Sequence, residues 1–223
     1  NEGPKLAVGD ANNDGLDDIY CGAAKGQSKS ICIQQKDGSF KMSVPDAFKG
    51  NRENEDMGMA WIDVDGDHDL DLYVCSGGSE DPEASSNLMD RLYINNSAGG
   101  NINFTLSPQV LPTFKFESTS CVRPCDIDGD GDMDLFVGMR YKPFYYGLPV
   151  NGYMLINDKS NFTNQTSTIA PQLTGCGMIT DATWADVNND HLPDLILCGE
   201  YMPIKIFINK GGKFIQENVV SSK

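Results

Sequence analysis

The sequence predicts an all-β fold, a β-propeller of four-stranded antiparallel blades with four blades present. Three observations carry this. One acidic motif recurs four times in 223 residues, its first aspartates at Asp10, Asp63, Asp126 and Asp186, hence 53, 63 and 60 residues apart. Every apolar run is short and bounded by turn residues, in a chain with 23 glycines and 11 prolines. No window of helical length sustains a 3.6-residue period. A four-strand unit that repeats every 60 residues or so reads as a blade, because its sheet can bury both faces only when neighbours stack on it.

The elements follow in order within one region, 1–223, with blades drawn at about 1–47, 48–110, 111–170 and 171–223. Each blade opens with a short apolar stretch: Lys5–Gly9, Met57–Ile62, Thr119–Cys125 and Met178–Ala185. After the acidic loop comes a β-branched and aromatic run ending in small residues, as in Asp18–Gly22 or Asp194–Gly199. A third strand is expected at Ser30–Ile33, Arg91–Ile94, Tyr153–Ile156 and Ile204–Ile208. A Gly- or Asn-bearing turn leads to the fourth, at Phe40–Val44, Ile102–Leu106, Phe162–Thr168 and Phe214–Val219.

The acidic loops carry the chemistry. Counted from its first aspartate, positions 1, 3, 5 and 9 of each loop are Asp10, Asn12, Asp14, Asp18; Asp63, Asp65, Asp67, Asp71; Asp126, Asp128, Asp130, Asp134; and Asp186, Asn188, Asp190, Asp194. Three or four carboxylates within nine residues repel, and a hard divalent cation resolves that repulsion. Ca²⁺ takes roughly 6–8 oxygen ligands and accepts carboxylates, amides and carbonyls together. Position 7 (Leu16, Asp69, Asp132, Leu192) alternates between apolar and acidic, as expected where the backbone carbonyl is the ligand. The all-oxygen set disfavours zinc and copper, and Mg²⁺ seldom receives an all-protein cage. An EF-hand needs a Glu at position 12 and flanking helices; position 12 here is Cys21, Val74, Val137 and Leu197, inside expected strands. Position 6 is Gly15, His68, Gly131 and His191. A left-handed backbone there explains both histidines conformationally, without catalysis or metal binding.

The pattern D-x-[DN]-x-D-[GH]-x-x-D, followed by a hydrophobic strand and a Gly, resembles the FG-GAP/VCBS repeat of integrin α-subunit propellers and secreted bacterial proteins. The resemblance extends over all four blades. It implies a loop joining the innermost strand to the second, up to four Ca²⁺, the sixteen side chains above as ligands with the position-7 carbonyls, and an extracellular or cell-surface location. Segments such as Asp90–Asn96 also resemble secreted VCBS-repeat proteins of environmental bacteria. Family propellers usually have seven blades, so a fragment of a larger propeller is favoured over a closed four-blade ring or a dimer of two open arcs.

Composition narrows the function. The 32 acidic against 17 basic residues give −15, which argues against nucleic acid and anionic membranes. No run approaches the roughly 18 apolar residues of a spanning helix. The start at Asn1-Glu2-Gly3 suggests a processed product or a piece of something longer. Seven cysteines (21, 32, 75, 121, 125, 176, 198) are expected as structural thiols, Cys21, Cys75 and Cys198 at buried strand ends, with one disulfide, involving Cys176, left open. Sequons at Asn95, Asn103, Asn161 and Asn164 are expected at exposed turns. The loops after the second strands, with Glu80, Asp81 and Glu83 in blade 2 and Arg140–Gly147 in blade 3, lie opposite the calcium loops. That face is expected to bind a protein or glycan, or to pack against a neighbour. No catalytic constellation is visible, and the expectation is a calcium-binding recognition or adhesion module. The alternatives are a structural spacer or part of a propeller enzyme such as a polysaccharide lyase acting through Tyr141, Tyr145 or Lys142. Fourteen of the acidic residues are implied ligands, so four Ca²⁺ would bring −15 to about −7.

Overall fold

The computed structural model describes residues 4–109, 111 and 117–217. Four sheets follow one another along the chain. Blade 1 holds β1 (Leu6–Gly9), β2 (Asp18–Cys21), β3 (Ser30–Gln34) and β4 (Phe40–Ser43). Blade 2 holds β5 (Glu55–Ile62), β6 (Asp71–Gly77), β7 (Arg91–Asn95) and β8 (Phe104–Leu106). Blade 3 holds β9 (Ser118–Cys125), β10 (Asp134–Tyr141), β11 (Gly152–Ile156) and β12 (Thr163–Asn164). Blade 4 holds β13 (Met178–Ala185), β14 (Asp194–Glu200), β15 (Lys205–Asn209) and β16 (Phe214–Glu217). Each sheet runs in sequence order with antiparallel neighbours, the meander of a propeller blade.

Alternation along each strand gives every blade two apolar faces, and these meet in three cores. Tyr20, Ile31 and Ile33 of blade 1 pack on Leu72, Val74 and Tyr93 of blade 2. Ile62, Val64 and Tyr73 of blade 2 pack on Val122, Leu135 and Val137 of blade 3. Cys121, Ile127 and Phe136 of blade 3 pack on Leu195, Leu197 and Phe207 of blade 4. Among the described residues no core joins blade 4 back to blade 1, so the four blades form an open arc and not a closed ring. The innermost strands approach closely. A Cβ on Gly58 of β5 would lie 2.6 Å from the Ser120 carbonyl oxygen of β9, so only glycine fits there.

Two departures from the sequence reading have local causes. Short helical turns occur between blades and in blade 3: α1 (Asp46–Lys49) and α2 (Thr166–Ile169). Phe48 of α1 is buried against the rings of Tyr20, Tyr93 and Phe104 at 5.6, 4.7 and 5.7 Å, so tertiary burial fixes a turn too short to show a period. The fourth strand of blade 3, expected through Thr168, ends at Asn164 because the Asn164 Oδ1 accepts the backbone N–H of Thr166 at 3.0 Å and starts α2. In blade 4, Asn218 and Val219 of the expected strand lie outside the described residues.

Candidate metal centres

Each acidic loop joins the first strand of a blade to the second, and the structure holds all four with one repeated set of hydrogen bonds. The position-1 carboxylate accepts the position-6 N–H: Asp10 from Gly15 (2.7 Å), Asp63 from His68 (3.0 Å), Asp126 from Gly131 (3.1 Å) and Asp186 from His191 (2.9 Å). The position-3 oxygen accepts the position-5 N–H, as Asp65 does from Asp67 (3.2 Å) and Asn188 from Asp190 (2.9 Å). The position-5 oxygen accepts the position-7 N–H, as Asp14 does from Leu16 (2.9 Å) and Asp130 from Asp132 (2.9 Å). These turns curl the loop, and they bring together the side-chain oxygens at positions 1, 3 and 5 in loop 3 and at positions 1, 3 and 9 in loop 2.

The curl needs left-handed backbone at two positions. Position 6 has φ of 86, 74, 96 and 67° at Gly15, His68, Gly131 and His191. Position 4 has 57, 77, 81 and 61° at Asn13, Gly66, Gly129 and Asn189. Both positions draw on Gly, Asn and His, the residues that tolerate this region. Position 4 escaped the sequence reading, although its Asn/Gly restriction was visible.

Position 9 does more than supply a ligand. Asp18, Asp71, Asp134 and Asp194 are fully buried. One oxygen of each accepts the position-2 N–H of its own loop, from Ala11, Val64, Ile127 and Val187, at 2.7–3.1 Å. The other accepts the N–H at the end of the third strand, from Gln34, Asn95, Asn157 and Asn209, at 2.7–2.9 Å. The carboxylate therefore clamps the loop to the blade while keeping lone pairs for an ion.

The residues fit a hard cation. Oxygens of Asp63, Asp65 and Asp71, and of Asp126, Asp128 and Asp130, gather within 4.8 Å of one another. The buried Asp69 Oδ1 has no hydrogen-bond partner. Burial, aided by neighbouring carboxylates, pushes Asp69 up to about 7, and burial pushes Asp71 and Asp134 up to about 6. In loops 1 and 4 an Asn stands at position 3, and its amide donates to the position-5 carboxylate, Asn12 to Asp14 (3.1 Å) and Asn188 to Asp190 (2.9 Å). Loops 2 and 3 thus concentrate more negative charge than loops 1 and 4. A groove of about 480 Å³ lies beside loop 1, lined by Asn12, Asp14, Gln35 and Lys41 among others.

On the opposite face, ion pairs tie blade to blade. Lys25 meets Asp81 at 3.1 Å, Lys142 meets Glu83 at 3.0 Å, and Arg140 pairs with Glu200. Asp81 and Glu83 are thereby engaged with cations of adjacent blades. Phe144, Tyr145 and Tyr146 are exposed, whereas Tyr141 is buried. Tyr146 meets Tyr201 of blade 4 edge to face at 6.2 Å, and its hydroxyl donates to Glu200. Tyr201, missed in the sequence because it stands alone after β14, is the most exposed of these aromatics.

Comparison with known proteins meets this geometry at the loops. Residues 9–74 match the FG-GAP-like repeat. The match takes in Asp10–Asp18 and Asp63–Asp71, and blades 3 and 4 repeat the same strand order and loop bonding. Thirty-five chains of solved structure are similar in fold. One is an Agrocybe aegerita lectin, described for specific recognition of non-reducing terminal N-acetylglucosamine; TM-score 0.54, 16% identity, over 94% of this chain and 50% of that one. Another is the V. cholerae biofilm matrix protein Bap1; TM-score 0.42, 16% identity, over 95% of this chain and 30% of that one. The chain thus spans half the length of the lectin, and the likeness is one of fold. No match was found among curated proteins.

Thiols and sequons in the repeat behave less uniformly than expected. The seven cysteines are all free, Cys176 included. Cys75 is buried, but Cys21 is half-buried and Cys198 exposed, because Cys21 and Cys198 face outward from the two ends of the arc. Asn95 is buried and its amide donates to the Ala11 and Leu70 carbonyls, each at 3.0 Å, which removes it as a glycan acceptor. Asn103 and Asn161 are exposed.

Proposed function

We propose that the chain is an extracellular recognition module whose blades are rigidified by up to four Ca²⁺, with a protein or glycan ligand on the opposite face. The observation that carries the calcium reading is the bonding set repeated in all four loops. It orders carboxylates that repel one another, and in loops 2 and 3 burial already disfavours the charge of Asp71 and Asp134. Positions 1, 3, 5 and 9 would hold the ion with the position-7 carbonyl, and the bound ion would favour the ionised carboxylates. Its contribution is structural. It locks the loop that the position-9 aspartate clamps to the third strand.

The ligand reading rests on Phe144, Tyr145, Tyr146 and Tyr201, large exposed aromatics held by the Arg140–Glu200 and Lys142–Glu83 pairs. Aromatic side chains that stay exposed on an ordered loop suit a contact surface. The lectin of similar fold is a precedent for sugar recognition on such a scaffold. The test is binding of the calcium-loaded protein to a glycan array and to extracellular protein ligands, repeated with Tyr146→Ala and Tyr201→Ala. Retained binding by both variants would remove this face as the site. Release of unsaturated sugars from a polysaccharide would replace the binding reading with a lyase.

A further inference from the structure

The position-9 aspartates of neighbouring blades are joined through hydrogen bonds that cross the blade junctions. At the end of the third strand of blade 2, Asn95 bonds in two directions. Its backbone N–H donates to Asp71 of its own loop at 2.7 Å, and its side-chain amide donates to the Ala11 carbonyl of loop 1 at 3.0 Å. Ala11 gives its own N–H to Asp18 at 3.1 Å. Two residues, Ala11 and Asn95, therefore connect the carboxylate of loop 1 to that of loop 2.

The junction of blades 2 and 3 repeats this bond for bond. Asn157 donates its N–H to Asp134 at 2.8 Å and its amide to the Val64 carbonyl at 2.9 Å, and the Val64 N–H donates to Asp71 at 3.0 Å. A parallel link runs beside it. The Ser160 N–H reaches the same Val64 carbonyl at 3.0 Å, next to Lys159, whose N–H donates to Asp132 at 3.2 Å. Asp18, Ala11, Asn95, Asp71, Val64, Asn157 and Asp134 are all buried, so water does not compete for the chain of bonds they form.

The junction of blades 3 and 4 breaks the pattern. Asn209 donates its N–H to Asp194 at 2.8 Å like its counterparts, but its buried amide nitrogen has no hydrogen-bond partner among the described residues. The amide is turned the same way as that of Asn95: the Asn209 Oδ1 accepts the Gly212 N–H at 2.8 Å, and the Asn95 Oδ1 accepts the Ser97 N–H at 3.0 Å. Loop 4 is thus left out of the chain that joins loops 1, 2 and 3.

We propose that Asn95 and Asn157 couple the acidic loops of blades 1, 2 and 3, which take up calcium cooperatively, while loop 4 loads on its own. The inference rests on the calcium reading above. An ion in loop 2 holds Asp71 and, through the Val64 N–H, fixes the carbonyl on which the Asn157 amide rests. Asn157 then presents its backbone N–H to Asp134, so part of the ordering that loop 3 needs is already done and loop 3 binds more tightly. The same factor acts in reverse, from loop 3 to loop 2.

Calcium titration of the full chain tests this, followed loop by loop through the backbone amide NMR signals of Gly15, His68, Gly131 and His191. Asp130→Asn removes a carboxylate from loop 3 and keeps an oxygen to accept the Asp132 N–H. Loops 2 and 4 flank loop 3 on its two sides, so each is the control for the other. The variant should raise the calcium midpoint of loop 2 by about fivefold or more and that of loop 4 by less than about twofold. Asp67→Asn, in loop 2, should raise the midpoints of both loop 1 and loop 3. Asn157→Ala keeps the backbone N–H on Asp134 and removes the amide, and should lower the response of loop 2 to Asp130→Asn. The comparison of loops 2 and 4 changes neither asparagine, so it decides the matter even if Asn157→Ala does not fold. Equal shifts in loops 2 and 4 would trace the coupling to charge or blade stacking and overturn the proposal. So would a loop 2 midpoint unmoved by Asp130→Asn, or a response that Asn157→Ala leaves unchanged. Loops that titrate independently would remove the coupling and leave the calcium reading standing, whereas signals that ignore calcium in every loop would overturn both.

Discussion

The position-9 aspartate can be separated from the other ligands by what it does without calcium. Asp71 is buried and accepts the N–H groups of Val64 at 3.0 Å and Asn95 at 2.7 Å. Asp71→Ala leaves both donors buried without an acceptor, at about 1–3 kcal/mol each, so roughly 2–6 kcal/mol in all. That is a large part of the about 5–15 kcal/mol that stabilises a domain. Asp67→Asn is the contrast. Asp67 is exposed, the bond its side chain accepts from the Asp69 N–H at 3.0 Å survives with an amide oxygen as acceptor, and the cost without calcium should be within about 0.5 kcal/mol. Urea unfolding followed by circular dichroism, in EGTA and in millimolar Ca²⁺, gives four numbers. Asp71→Ala should be destabilised in both media, whereas Asp67→Asn should lose stability only where calcium is present. Equal behaviour of the two variants in EGTA would refute the clamp.

Further consequences follow from individual residues. Asp71 and Asp134 titrate near 6 in the folded chain, above the unfolded carboxylate at about 3.9, so the folded state binds more protons between those values. Calcium-free protein should therefore lose stability as pH rises from 4 through 6 and be less stable at neutral pH than at pH 5, as urea midpoints across pH will report; a rise over that window contradicts it. His191→Val places a β-branched residue at φ 67° and should cost about 1–2 kcal/mol, while His191→Gly should be nearly neutral, measured by thermal melting. Gly58→Ala pushes a Cβ to 2.6 Å from the Ser120 carbonyl and should cost about 1–3 kcal/mol or more. Expressed through a glycosylating pathway, the chain should carry glycan at Asn103 or Asn161 and none at Asn95, read by peptide mass.

The repeat made the strand order legible because every blade spells it out again. Four strands and an acidic loop recur in register, with Phe40, Phe162 and Phe214 opening three of the expected fourth strands; that of blade 2, expected from Ile102, starts at Phe104. The candidate ligands were legible for the same reason. The clamp role of Asp18, Asp71, Asp134 and Asp194 was not, since its partners are backbone N–H groups up to 24 residues away that carry no side-chain signal. Local identity also misled where the environment differs between copies. Asn95 has the sequon of a surface turn yet is buried, because it staples blade 2 to the Ala11 carbonyl of blade 1. Cys21 is half-buried where its counterpart Val74 is fully buried, since Cys21 lies on the uncovered face of the arc.

The central proposal is that calcium rigidifies the four acidic loops, and thermal unfolding in EGTA against millimolar Ca²⁺ addresses it directly. With a Kd of about 10⁻⁴ M and free Ca²⁺ at about 10⁻³ M, each loop adds roughly 1.4 kcal/mol, and four add roughly 5–6 kcal/mol. For a chain of this size that corresponds to a rise of about 10–20 °C in Tm. An unchanged Tm would contradict the account.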